Sequence, residues 1–165
     1  MTTIVSGQAL TDSLRDVMGG VCTPVAVVTT VVEGRPHGTT VSAFTSLSMH
    51  PPMVMISLDR NSNTLRAIQD AGHFGLNILG AREHHLARQF ATKNDDKFAT
   101  VDWRVSGRSA RLTDAYGWVA CSVHSTADGG DHVIVTGNVI DAELVDGQPL
   151  TYHRRSFGTH APLTA

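Results

Sequence analysis

The sequence predicts an all-β-dominated fold, an antiparallel barrel or sandwich with a few short helices at its margins. Three observations carry that reading. Segments rich in β-branched residues recur along the chain, short turn-forming clusters separate them, and stretches with helical spacing are few and brief. A chain of 165 residues, 41% hydrophobic, suits one domain with its own core, because two halves would each have too little interior. That domain is expected to span 1–165, with 1–8 and 159–165 as flexible tails.

Taken in order, Leu10, Leu14, Val17 and Met18 fall on one helical face, which Gly19-Gly20 ends. After Pro24, residues 25–32 read as a buried strand. Glu33-Gly34-Arg35-Pro36 is turn chemistry, and 38–47 resumes an extended pattern, so the two make a hairpin. Pro51-Pro52 breaks the chain before a strand at 53–58. A short helix at 63–71 turns Leu65 and Ile68 inward, 74–79 is a strand, and 81–90 is helical with Leu86 and Phe90 on one side. Residues 94–110 are polar and read as irregular. Val119, Cys121 and Val123 alternate with small or polar residues, as in a half-buried strand. Asp128-Gly129-Gly130 turns the chain into a long strand at 132–145, and Asp146-Gly147 turns it again.

Composition narrows the function. Lys and Arg number 13 against 15 Asp and Glu, a net charge of −2, and the nearest basic doublet, Arg154-Arg155, is too short for a polyelectrolyte clamp though able to grip one phosphate. Nucleic acid and anionic membranes need a positive surplus, so neither is an expected partner. Residues 1–10 lack the basic flank and apolar run of a secretory signal, and no apolar stretch reaches membrane-spanning length, so a cytoplasmic location is expected. Cys22 and Cys121 lack CxxC spacing and read as reduced, buried thiols. Of nine histidines the only local pair is His84-His85, whose side chains diverge on a helix, and no HExxH is present, so no metal is expected. GxGxxG, Walker and GxSxG motifs are absent as well.

Four segments could carry chemistry. Residues 38–46 hold five hydroxyls, and donors of that kind suit the carbonyls and ring nitrogens of an electron-rich heterocycle. A solvated Thr/Ser-rich strand explains them equally well. Ser57-Leu58-Asp59 with Ser62-Asn63-Thr64 is a polar loop opening a helix, which suits a phosphate or simply caps the helix. Gly129-Gly130-Asp131-His132 with Gly137 lets a flat ring approach, or is an ordinary hairpin turn. Pro149-Leu150-Thr151-Tyr152-His153-Arg154 joins an aromatic, an imidazole and a guanidinium, as a nucleotide site or an exposed edge strand does.

In this order and spacing the segments resemble the short-chain flavin reductase family, the small reductase components of two-component flavin monooxygenases. The matching stretches are PVAVVTT at 24–30, GTTVSAFTSLS at 38–48 with Pro51-Pro52, and FGLNIL at 74–79. Phe90 with Lys97-Phe98, GDH at 130–132 with Gly137, and PLTYH at 149–153 complete them. The likeness runs from Leu14 to Gly158. It departs at Pro24, where the family often has Gly, and the family varies at Thr39 and Thr40, which makes backbone contacts there the safer inference.

The resemblance implies a Greek-key split barrel of the FMN-binding type, assembled as a homodimer with flavin near the subunit interface. Gly38, Thr39, Thr40, Val41, Ser42 and Ala43 then line the isoalloxazine. Ser57, Leu58, Asp59, Asn63 and Thr64 hold the ribityl phosphate end, and Arg88, Gln89 and Phe90 close that pocket. Gly130, Asp131 and His132, with Tyr152, His153 and Arg154, form the nicotinamide side. His132 is cast as the catalytic, nicotinamide-positioning group and Arg154 as a phosphate or interface partner. The implied reaction is hydride transfer from NADH or NADPH to FMN or FAD, with reduced flavin passed to a transient oxygenase component. A flavin-binding electron carrier or sensor without nicotinamide turnover is the alternative.

Overall fold

The computed structural model describes residues 7–94 and 96–163. It opens with α1 (Gly7–Gly19), followed by β1 (Thr23–Pro24), β2 (Ala26–Val32), β3 (Arg35–Val41), β4 (Phe44–Met49) and β5 (Pro52–Asp59). Next come α2 (Asn63–Ala71), β6 (His73–Ile78), a 3-10 turn (Ala81–Glu83), α3 (His84–Phe90) and the short strands β7 (Trp103–Ser106) and β8 (Ser109–Leu112). Two long strands, β9 (Gly117–Gly129) and β10 (His132–Leu144), precede β11 (Leu150–His153) and β12 (Ser156–Thr159).

The main sheet has seven strands in the order β3-β2-β6-β9-β10-β5-β4, all neighbours antiparallel. Its two edges, β3 and β4, are consecutive in the chain and separated by Ser42 and Ala43 alone. Laid flat, six interstrand steps put those edges about 29 Å apart. Three Cα steps span at most about 11 Å. The sheet therefore curls until its edges nearly meet, which is the split barrel. A second sheet, β1-β11-β12, lies beside it.

The apolar run from Val25 to Val28 is buried on both faces. Alternation along β2 sends Ala26 and Val28 to a core with Ile56, Phe74, Cys121 and Val135, while Val25 and Val27 join Leu79, Leu86, Phe90 and Leu150. Leu65 and Ile68 of α2 plug the first core. Ser62 caps that helix, its Oγ accepting from the Leu65 N–H at 3.3 Å, and left-handed Gly72 closes it.

Five expectations need correction. The interval 94–110 is not irregular throughout: β7 and β8 pair there, turned by left-handed Gly107 and Arg108. Asn77 pins that hairpin to the barrel. Its Nδ2 donates to the Val27 and Ala110 carbonyls and Thr29 Oγ1, and its Oδ1 accepts from Leu112 N–H at 2.7 Å. The extended stretch at 38–47 is broken at Ser42-Ala43, because there the chain crosses from one sheet edge to the other. The turn before it is only Glu33-Gly34, both left-handed, with Arg35 and Pro36 already in β3. Thr159, expected to begin a tail, is the last residue of β12, paired with Leu150. Cys22 is exposed, whereas Cys121 is buried and its thiol is pushed up to about 12 by desolvation.

Candidate functional site

A cleft of about 970 Å³ opens where β3 ends. Val25, Thr40, Val41 and Ser42 form its floor, Ala81, His84, Ala87, Arg88 and Ala91 one wall, and Leu150, Tyr152, Arg155, Ser156, Phe157, Gly158 and Thr159 the other. Backbone bonds fix the walls: Leu150 N–H donates to the Leu79 carbonyl at 2.9 Å and Ala81 N–H to that of Gln148 at 2.8 Å. Thr40 Oγ1 donates to the Ala87 carbonyl at 2.7 Å and holds α3 on β3. The Phe157 ring organises the outer wall, with its centroid 5.2 Å from that of Tyr152, 6.4 Å from that of His84 and 5.7 Å from the Arg88 guanidinium carbon.

Of the residues expected to line the flavin, Thr40, Val41 and Ser42 face this cleft, joined by Arg88 and Tyr152. Gly38 is not among its lining. A Cβ there would meet the Phe90 and Phe98 rings at 3.1 Å, so its small size serves internal packing. Phe90 is itself fully buried, and Gln89 Nε2 donates to the Lys97 carbonyl at 2.6 Å, tying down the following loop. Thr39 lies within β3, paired with Val28 of β2. The Ala43 carbonyl accepts from Ser57 N–H at 2.9 Å, so the structure does bring the first two segments together at the corner between sheet edges.

Asp59, Asn63, Gly130, Asp131 and His132 gather instead at the tip of the β9–β10 hairpin and the β5–α2 turn. His132 pairs with Asp59 across the strands. Arg60 bridges the two, its guanidinium donating to Asp128 at 3.1 Å and to the Gly130 carbonyl at 3.0 Å. Asp59 Oδ1 accepts from Asn61 N–H, and Asn63 Oδ1 from Arg66. His132 Nδ1 lies 2.8 Å from Asp131 Oδ1, and that hydrogen bond holds the Asp131 carboxyl below the usual carboxylate range. Leu58 is buried in the barrel, and Thr64 is buried on α2. The flat ring that Gly137 admits is Phe74, 2.6 Å from a Cβ placed there.

The fourth segment splits as well. Tyr152 lines the cleft, but His153 and Arg154 do not. Arg154 N–H donates to the Gly19 carbonyl at 3.0 Å, tying the β11–β12 turn to the end of α1. The next residue, Arg155, reaches the cleft in its place. The sequence offers Arg154 and Arg155 alike as phosphate contacts and gives no sign of Phe157 beyond its aromatic spacing from Tyr152, because Arg-Arg is not turn chemistry and the strand beyond it has no other local signal.

The fold is a split barrel whose cleft carries two guanidinium groups in its lining, and comparison with known proteins gives its family. The model of the flavin reductase like domain matches residues 18–161. The reductase component of 4-nitrophenol 4-monooxygenase/4-nitrocatechol 2-monooxygenase from Rhodococcus opacus is 40% identical over 148 residues, covering 90% of this chain and 80% of its own. The flavin reductase (NADPH) of Lentzea aerocolonigenes is 38% identical over 144 residues, covering 85% and 84%. The NADH:FAD oxidoreductase of Streptomyces globisporus C-1027, solved with NAD and FAD fragments, superposes with a TM-score of 0.88 at 30% identity, covering 98% of each chain. The chain belongs to the flavin reductase family, whose reaction class is oxidation of a nicotinamide nucleotide by a flavin.

Proposed function

We propose that the cleft at the end of β3 is the flavin site, that the Gly130–His132 tip serves the nicotinamide, and that reduced flavin passes to a separate oxygenase component. The cleft carries this reading. Its floor is an edge strand, on which every second N–H is unpaired by the sheet. Its lining is mainly apolar, which keeps water from the ring, and Ser42 offers a hydroxyl without a partner among the described residues. Arg88 adds to the lining a guanidinium suited to phosphate.

Bound there, flavin supplies the hydride acceptor, and no protein nucleophile is needed. The work of the chain is positional. Donors on β3 suit the carbonyl side of the isoalloxazine, where charge builds on reduction. At the tip, Asp131 holds the His132 ring through Nδ1, which leaves Nε2 to meet a carboxamide.

A single domain acting as a homodimer completes the proposal. Leu10, Leu14, Val17 and Met18 of α1 are 53–67% exposed, and a second copy would cover that face. Among the described residues no helix is long and apolar enough to cross a membrane, and we place the protein in the cytoplasm.

The test is oxidation of NADH and NADPH, followed by loss of the reduced-nicotinamide absorbance, with and without added FMN, FAD and riboflavin. Turnover that rises with added flavin and saturates supports a reductase that releases its flavin. Flavin binding without nicotinamide turnover leaves an electron carrier instead.

A further inference from the structure

We propose that Arg155 grips a phosphate of the bound nucleotide and so decides which nucleotides the cleft accepts; this rests on the cleft being a nucleotide site. The argument starts from backbone geometry. Among the described residues, three hairpins turn on two consecutive left-handed residues. They are Glu33-Gly34 (φ 49° and 77°), Gly107-Arg108 (52° and 63°) and Arg154-Arg155 (45° and 64°). Such turns call for glycine or asparagine, because a side chain in the left-handed region crowds the backbone. The first two each contain a glycine. The third places arginine at both strained positions, and strain of that kind persists where the surrounding structure holds it for function.

Hydrogen bonds do hold it. His153 pairs with Ser156 to close the hairpin, and Arg154 N–H is anchored on the Gly19 carbonyl at 3.0 Å. Arg155 therefore sits at a fixed point on the cleft wall. Its guanidinium makes no hydrogen bond or ion pair among the described residues. The cleft lining adds a second guanidinium, Arg88, steadied over the Phe157 ring, and an imidazole, His84, but no carboxylate. A chain of net charge −2 thus concentrates unneutralised cations at one concave site. Guanidinium groups match phosphate oxygens in pairs, so the missing counter-charge fits a phosphoryl group.

That phosphate has two possible sources, the flavin nucleotide and the nicotinamide nucleotide, and the experiment separates them. Arg155→Gly removes the guanidinium and puts in the residue the backbone favours. Its Tm should equal or exceed that of the unaltered protein, while KM for the phosphate-bearing substrate rises about tenfold or more. A rise for FMN and FAD but not riboflavin assigns the flavin phosphate. A rise confined to NADPH, with riboflavin as acceptor, assigns the 2′-phosphate, and an equal rise for NADH and NADPH assigns the pyrophosphate. Unchanged KM values in every arm, or a riboflavin KM raised as much as the rest, would overturn the proposal. Arg155→Asn repeats the test with another residue at home in the left-handed region.

Ala91→Trp separates this failure from failure of the cleft reading. Ala91 is exposed on the cleft wall, so the indole narrows the cleft without entering the core. If it leaves every KM unchanged, the cleft is not the nucleotide site. If it raises the riboflavin KM while Arg155→Gly changes nothing, only the role of Arg155 falls.

Discussion

The cleft and the β9–β10 tip are built from equally polar sequence, yet they leave it in opposite states. At the tip, Arg60, Asp59, Asn63, Asp128 and Asp131 spend their charges and hydrogen bonds on neighbouring side chains and backbone. The cleft keeps Ser42, Tyr152 and Arg155 unspent around an apolar interior. Satisfied polar groups stabilise a turn, whereas unsatisfied ones around a cavity stand ready for a ligand. On the proposed reading, the main binding energy therefore lies at the cleft. His132, whose Nδ1 is held by Asp131, is the tip residue for which a substrate contact is proposed.

The strongest way to break this comparison is at the cleft wall. Phe157→Ala removes the ring shared by Tyr152, His84 and Arg88. Flavin KM should rise about tenfold or more, with stability lowered by about 2 kcal/mol. A flavin KM like that of the unaltered protein would show that the cleft is not where flavin binds. The tip is probed by His132→Ala, for which nicotinamide KM should rise about three- to tenfold with flavin KM unchanged. If nicotinamide KM and kcat both hold, His132 has no part in positioning.

The smallest effect comes from a place remote from the substrate roles assigned here, the contact between β6 and the β7–β8 turn. His73 Nε2 lies 2.7 Å from an Arg108 guanidinium nitrogen, and desolvation followed by that positive charge lowers its pKa. The folded pKa lies below the unfolded one, so this contribution to stability is full above about pH 6.5 and is lost as pH falls from there. Tm should therefore decline on acidification, less steeply in His73→Gln, while the nicotinamide and flavin KM values of the two proteins stay alike. Equal slopes in both proteins would assign the acid sensitivity elsewhere.

Much of the fold was legible from short-range signals. Ser62 and Gly72 bound α2 through bonds spanning three or four residues, and the β-branched run after Pro24 marks β2 wherever it is placed. Long-range partnerships were not legible. Asn77 reads as an intrusion in an apolar strand until the fold brings Val27, Ala110 and Leu112 to its amide. Gly137 reads as room for a flat ring, and the resemblance puts Gly38 beside the isoalloxazine. The rings they admit belong to Phe90, Phe98 and Phe74. The sequence does not separate Arg155 from its neighbour Arg154 as a phosphate contact, since which of two adjacent residues faces a cleft depends on the turn between β11 and β12.

Alternation of apolar residues, the turn clusters and the helix caps each act within a few residues, so the strand-rich class and the placement of most elements follow from local sequence. The cleft is another matter. Its floor comes from 25–42, one wall from 81–91 and the other from 150–159. These meet only because a seven-stranded sheet, tied edge to edge by Ser42 and Ala43, has to curl.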